Sequence, residues 1–291
     1  MSAHPTARTA LPPAVKDTIR SVSHVFGQAT SGIRSLPTFL IVGAQRCGTT
    51  SLFRALTQHP QVMGPVLRKG VHYFDTQYAR GLDFYRGHFP PRLFTRPCRG
   101  RPRVEVGESS PYYLFHPLAA ERLARDLPGV KVIVMLRDPV ERAYSAHSHE
   151  LARGFETEPF ERALELEEER LRGEEDRLRR DPTAYSHSHQ HHAYLARGRY
   201  AEQLRRLEKA VGRDRMHVID SEAFFTAPAA TFAAVEHFLG IGHHDRVRFG
   251  RHNARSRSAM PEDLRARLAD HFAEADRELA DWWGRTPAWR A

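Results

Sequence analysis

The stretch FLIVGAQRCGTTSLFRAL, residues 39–56, holds the densest group of residues suited to gripping an anion. Gly43 and Gly48 carry no Cβ, so backbone N–H groups between them can close around oxygens. Thr49 and Thr50 add hydroxyl donors, and Arg46 sets a guanidinium at the crest of the loop. The spacing Gly43-x-x-x-x-Gly48 is that of a nucleotide-triphosphatase phosphate loop, yet Thr49 stands where such a loop has its lysine. A partner strand for magnesium is also hard to find: in VIVMLRD the acid, Asp138, comes only after Arg137. A site that uses arginine in place of a metal suits a transferring group less charged than a γ-phosphate.

Such a loop needs a strand before it and a helix after it. Phe39–Val42 reads as a buried strand and Thr50–Gln58 as a helix, stopped by Pro60. The helix N-terminus then adds its partial positive charge to the loop. Lys131–Leu136 is the clearest buried strand, and Pro139 opens a helix running to about Arg153. VEVGESSP predicts a strand ending near Gly107, and MHVIDSE predicts another. Helices are predicted at Leu82–Phe89, Pro117–Asp126, Tyr200–Val211, 227–239 and, as one long element, 261–281. Strands alternating with helices give the α/β class: a P-loop-like three-layer fold with a central parallel sheet flanked by helices. Ligands of such sheets bind beyond the carboxyl ends of the strands. Residues 36–291 are expected to form a single domain, and residues 1–35 a mobile or loosely docked extension. In the charged stretch 158–180, the i,i+4 pairs Glu158–Arg162, Glu168–Arg172 and Glu175–Arg179 predict a solvated helix face.

The hydrophobic share of 41% over 291 residues suffices for a sizeable core. Net charge is +9, carried almost wholly by arginine, since lysine occurs only at 16, 69, 131 and 209. That balance points to an anionic partner: a phosphorylated cofactor, an acidic glycan or nucleic acid. Nucleic acid lacks any recognition signature here. The two cysteines, Cys47 and Cys98, suit neither a disulfide framework nor a zinc site. A Cys47 thiolate would be repelled by an anion in the loop, so the side chain is expected to pack as a small hydrophobe. No apolar run reaches the roughly 18–20 residues that span a bilayer, and the N-terminus lacks a signal-peptide pattern. A cytoplasmic protein without stable membrane insertion is the expectation. Oligomeric state is not legible.

The segment PTFLIVGAQRCGTTSLFRAL resembles the loop that binds the 5′-phosphosulfate of 3′-phosphoadenosine 5′-phosphosulfate (PAPS) in sulfotransferases. That family's usual form is Gly-Ala-x-Lys-x-Gly-Thr-Thr-Ser-Leu. A second segment, VIVMLRDPVERAYSAHSHE, is similar to the family's 3′-phosphate motif. Arg137 leaves a buried strand at the same sheet edge as Gly43, and Ser145 lies about two helical turns on. Arginine plus hydroxyl makes a compact clamp for a dianionic monoester. Arg142, on the same helix, is expected to be solvated. KGVHYFD, GESSPYYL and YLARGRYAEQL extend the resemblance, with IDSEAFF and the closing PAW fitting more loosely; it runs from about residue 37 to the C-terminus. The chain most resembles bacterial relatives of the heparan sulfate sulfotransferases.

The resemblance implies a PAPS-dependent sulfotransferase acting on a hydroxyl or amine of a carbohydrate, glycolipid or small metabolite, by in-line transfer and without magnesium. The product is adenosine 3′,5′-bisphosphate. It assigns the nucleotide to Gly43, Gln45, Arg46, Cys47, Gly48, Thr49, Thr50 and Ser51, and to Arg137 and Ser145. Arg255 and Arg257, in the basic segment RHNARSRSAM, are candidates for covering the 3′-phosphate. Arg46 stands where the family has lysine to serve the leaving group, and Lys69 is a second source of an ammonium. Many heparan sulfate relatives place a glutamate base at the position of Gly70, so that assignment does not carry over. His72 is the first candidate base, with Glu108 and Asp75 as alternatives. The histidines at 187, 189, 191 and 192, on a predicted loop, match no specific zinc pattern. A kinase or triphosphatase using ATP and magnesium is the alternative reading, followed by a basic nucleic-acid binder.

Overall fold

The structure, a computed structural model, describes residues 25–66, 68–100, 102–252 and 258–291. Its strands are β1 (Phe39–Gly43), β2 (Val62–Met63), β3 (Glu105–Ser109), β4 (Lys131–Leu136) and β5 (Met216–Asp220). They form one parallel sheet in the order β2-β3-β1-β4-β5. Every residue of β1 is buried, and in β4 all but Lys131. Both strands are covered on two faces, which is why they appear as unbroken apolar runs rather than alternating ones. Gly107 of β3 lies opposite Phe39, and a Cβ there would come within 2.3 Å of the Phe39 ring.

The helices are α1 (Thr49–Leu56), α2 (Gly81–Arg86), α3 (Ala119–Asp126), α4 (Pro139–Leu151), α5 (Phe160–Glu165), α6 (Glu167–Leu171) and α7 (Glu174–Arg180). They continue as α8 (His187–His191), α9 (Tyr200–Val211), α10 (Ser221–Thr226), α11 (Pro228–Leu239), α12 (Glu262–His271) and α13 (Ala273–Trp283). The start of α4 is set locally: Asp138 caps the N–H of Val140 at 2.9 Å and Pro139 fills the first turn. Among the described residues no helix is long and apolar enough to cross a membrane.

Two expectations about helices are corrected. The long helix over 261–281 is two helices, broken at the buried Phe272, whose ring seats against Gly198. The charged stretch is divided at Gly173, which takes φ +73°. It is also not uniformly solvated: Glu167 is buried and accepts the N–H groups of Tyr194, Leu195 and Ala196. Of the expected pairs, Glu175–Arg179 forms at 2.8 Å, whereas Arg162 turns to Glu165. The described part of the N-terminal stretch, residues 25–35, makes hydrogen bonds to the segment around Phe89 and Thr95. Arg34 Nη1 donates to the Phe89 carbonyl at 2.7 Å, and Ser35 Oγ bonds Thr95 Oγ1 at 2.7 Å. Residues 1–24 lie outside the described residues.

Candidate functional site

A cavity of about 610 Å³ opens at the carboxyl ends of β1, β4 and β5. Arg46, Gly48, Thr49, Thr50, Arg137 and Ser145, all expected from the sequence, line it. Gly48, with φ +88°, makes the turn into α1, and a Cβ on it would approach the Phe225 ring to 3.0 Å. Arg46 Nε donates to Ser145 Oγ at 3.1 Å, so the loop's cation meets the hydroxyl of α4 directly. Arg137 is held by Glu141 at 3.1 Å, and its carbonyl accepts the Tyr200 hydroxyl at 2.8 Å. The two segments, some ninety residues apart in sequence, therefore share one wall of one cavity.

Four other residues of the expected nucleotide set do not line it. Gly43 closes the strand under Leu114, where a Cβ would meet that side chain at 2.5 Å. The Gln45 amide donates to Glu150 at 3.1 Å and accepts from Arg197. Cys47 is fully buried, with Tyr200 Oη 3.9 Å from its sulfur and its N–H given to Ala44. Burial pushes its thiol up to about 11 against the pull of Arg142, Arg137 and Arg46. Ser51 accepts the N–H of His252 at 3.0 Å. Gln45, Cys47 and Ser51 brace the loop from behind. Arg142, expected in solvent, is fully buried and donates to the Tyr194 carbonyl; three residues before Ser145, it faces the interior side of α4.

Sequence reasoning did not assign Phe225, Arg251, His252 and Trp289, which also line the cavity. The Arg251 guanidinium lies 4.8 Å from the Phe225 ring centre. The available signal was the strand end in IDSEAFF, one more carboxyl terminus on the same rim. Arg255 and Arg257 lie outside the described residues. The residues flanking them are anchored on the helices that carry Thr50 and Ser145. His252 is held by Ser51 of α1, and Ser258 Oγ by Tyr144 of α4 at 3.0 Å.

Beside Thr50 lies the KGVHYFD segment. Lys69 Nζ donates to Thr50 Oγ1 at 2.9 Å. Burial, with Arg54 nearby, pushes its ammonium down to about 7 although Glu108 opposes the shift. His72 Nδ1 bonds Asp75 Oδ2 at 2.8 Å, leaving Nε2 as the nitrogen for proton exchange. Burial works to lower the His72 pKa, but the charge and hydrogen bond of Asp75, joined by Glu108, raise it above its ordinary 6.5. Arg122 fixes the turn by donating to the carbonyls of Phe74 and Asp75 at 2.9 and 3.1 Å. Among the described residues, Arg46 (φ +71°) and His72 (φ +58°) are the non-glycine positions with positive φ. Backbone strain of this kind concentrates where geometry serves chemistry.

Glu108, an alternative candidate base, is enclosed by its partners. It is fully buried and accepts from Tyr85 and Tyr113 at 2.8 Å, from Ser110 at 2.9 Å and from the N–H of Val71. Burial raises its pKa in spite of those donors, and no oxygen is left for an acceptor. Its part is to hold the Lys69–His72 turn through Val71. Asp75 is likewise buried and spoken for, so it orients His72.

Gly70 is a packing requirement. Ser109 donates its N–H to the Lys69 carbonyl at 3.0 Å, which presses the two segments together. A Cβ on Gly70 would sit 2.3 Å from the Ser109 carbonyl oxygen and 2.6 Å from Ser110 Oγ. Gly70→Glu is therefore expected to cost about 1–3 kcal/mol and lower Tm by about 2–10 °C, without raising turnover. A thermal melt with parallel turnover assays checks this; a stable, faster variant would show that the segment has room for a glutamate base.

His187, His189 and His191 lie on α8 rather than on a loop, with His192 just past its end and Ser186 accepting the N–H of His189. Their rings turn to other groups: His189 bonds Tyr112 at 2.8 Å, His191 bonds Glu150 at 2.9 Å, and His192 bonds the Phe155 carbonyl at 2.8 Å, which His187 also reaches at 3.4 Å. Among the described residues no group of three or more His, Cys, Asp or Glu is arranged to hold a metal.

Comparison with known proteins bears on this geometry. The membrane-associated sulfotransferase kil1 of Dictyostelium discoideum is 25% identical over 321 residues, covering 88% of this chain and 67% of that protein. Human heparan sulfate glucosamine 3-O-sulfotransferase 3B1 is 28% identical over 79% of this chain, which spans 52% of that enzyme. The chain spans only 22% of human bifunctional heparan sulfate N-deacetylase/N-sulfotransferase 2. A solved sulfotransferase from Alicyclobacillus acidocaldarius is 33% identical, superposes with a TM-score of 0.68, and covers 88% of this chain and 100% of that one. The sulfotransferase domain family matches residues 36–256, which takes in the loop, the α4 segment and the turn around His72. The chain thus belongs to the sulfotransferase domain family, among the relatives of the glycosaminoglycan sulfotransferases.

Proposed function

We propose that this sulfotransferase moves a sulfuryl group from PAPS to a hydroxyl or amine of a carbohydrate, glycolipid or small-metabolite acceptor, in the cytoplasm and by direct in-line displacement. The contact of Arg46 with Ser145 at 3.1 Å carries this reading, because it joins the loop and the α4 clamp in one cavity. PAPS brings an activated sulfuryl group whose leaving group is a phosphate. The donor set suits it: hydroxyls of Thr49 and Thr50 with Arg46 for the phosphosulfate end, Arg137 and Ser145 for a monoester phosphate. Phe225 and Trp289 supply apolar surface for a base, and Arg255 and Arg257 remain candidates for closing over the 3′-phosphate. His72, oriented by Asp75, accepts the acceptor's proton as its oxygen or nitrogen bonds to sulfur. The S–O bond to the leaving phosphate breaks, and Arg46 takes up the charge that develops there. Lys69, bonded to Thr50 and with its ammonium near 7, is placed to give a proton to that oxygen.

Calorimetry with adenosine 3′,5′-bisphosphate and with ATP, each with and without magnesium, tests the donor. Bisphosphate is expected to bind without metal and more tightly than ATP. Arg137→Ala should weaken bisphosphate binding by about 10- to 100-fold, the loss of a charge-assisted pair. A magnesium-dependent preference for ATP, or an unchanged affinity in Arg137→Ala, would overturn the reading. A screen with labelled PAPS then assigns the acceptor.

A further inference from the structure

The stretch 84–104 contributes nothing to the cavity, yet its composition is extreme: six arginines and no carboxylate in twenty-one residues. Arg92, Arg96, Arg99 and Arg103 are exposed. Between them Leu93 is 81% exposed and Phe94 50%. A second stretch without carboxylates, 18–74, packs its described residues 25–35 alongside. Arg92 donates to the Gly32 carbonyl, Arg34 pairs its backbone with Pro91, and the Gly27 and Gly87 backbones touch so closely that a Cβ on either would clash. This contact brings Val25, Phe26 and Ile33, each more than 60% exposed, onto the same surface. Five of the eight large apolar side chains most exposed among the described residues thus share one arginine-studded face.

We propose that this face is a docking surface for an anionic lipid bilayer. Leu93, Phe94, Phe26 and Ile33 enter the interfacial layer while Arg92, Arg96 and Arg99 meet lipid phosphates. Both halves of the pattern are needed to select this partner. A soluble polyanion would use the arginines but leave the apolar side chains in water, and a second copy of the face would bring like charges together. The carboxylates that border the stretch are Asp83 and Glu105, and Glu105 is already paired with Arg103 at 3.2 Å. The face lies at the amino ends of β1 and β3: Ser35 bonds Pro90 and Thr95, and Val104 donates its N–H to Thr95. The cavity opens at the carboxyl ends, so docking leaves it facing water. The attachment is peripheral and spans nothing.

The test is flotation of the full chain with phosphatidylcholine vesicles, pure or containing about 30% phosphatidylglycerol. Binding is expected only to the anionic vesicles and should fall as salt rises. Leu93→Ser with Phe94→Ser should lower partitioning about tenfold or more, and so should Arg96→Glu with Arg99→Glu, since each basic residue at such a surface contributes about fivefold. Unchanged melting temperatures show that the variants are folded. Failure to float with anionic vesicles would overturn the proposal. So would full binding by the Leu93/Phe94 double variant, which would mark the face as a site for RNA or an acidic glycan. A dimer in light scattering that Leu93→Ser disperses would instead make it an interface between copies.

Discussion

With His72 replaced by alanine, kcat for sulfuryl transfer is expected to fall by about 10²- to 10⁴-fold while donor binding stays near its original strength. The imidazole does not line the cavity proposed for the donor, so its loss is expected to remove a proton acceptor without removing a donor contact. The pH dependence separates this role from a structural one. His72 must be neutral to accept a proton, and Asp75 raises its pKa above 6.5, so kcat should climb as pH passes through that raised value. Asp75→Asn removes the charge and should shift this acid limb to lower pH. Lys69 must be protonated to serve the leaving oxygen, so a basic limb is expected above about 7, displaced upward when an anion is bound. Stability runs with the opposite sense. A raised histidine pKa stabilises the fold fully below the unfolded value of about 6.5, and that stabilisation is lost as pH rises through the folded pKa. His72→Ala should remove this pH-dependent component from the melting curve. Full turnover in His72→Ala, or an acid limb unmoved by Asp75→Asn, would sink the assignment.

The features legible in the sequence were those whose physics is local. The glycine loop is strand, turn and helix within eighteen residues, and β4 with its Pro139-led helix is a run of buried residues followed by a capped start. Five of the eight candidate side chains at the loop and clamp, Arg46, Thr49, Thr50, Arg137 and Ser145, reach one cavity on that basis. What was not legible depends on partners far along the chain. Gln45 looks like any polar loop residue until Arg197 and Glu150 take up its amide. Glu108 resembles a strand-end acid until Tyr85 and Tyr113 saturate it. Gly70 was visible as a missing carboxylate, but the reason for it, the Ser109 carbonyl 2.3 Å from where a Cβ would stand, is a contact between two segments. Arg142 carries the same charge pattern as a surface arginine and is nonetheless in the interior. The two-residue β2 is too short for periodicity to reveal.

Arg46→Ala is expected to lower kcat by about 10²- to 10³-fold, the usual consequence of removing a donor aimed at developing charge. The family's lysine supplies that charge as an ammonium, whereas arginine, with a pKa above about 12, can stabilise but not protonate the leaving oxygen. In the proposed reading the two tasks are divided: Arg46 holds charge while Lys69, bonded to Thr50, supplies the proton. Arg46→Lys should therefore keep most of the electrostatic effect and lose the Nε bond to Ser145, a decline of about tenfold. Combined with Lys69→Ala it should recover part of what Lys69→Ala alone loses, because one ammonium can then perform both tasks. The division of kinetic constants is the decisive readout. A contact that strengthens in the transition state lowers kcat and kcat/KM together, while a contact made equally to bound donor raises KM alone. If Arg46→Ala raised only the KM for PAPS, Arg46 would be a binding residue, and the charge developing on the leaving phosphate would have to be met from Lys69 alone.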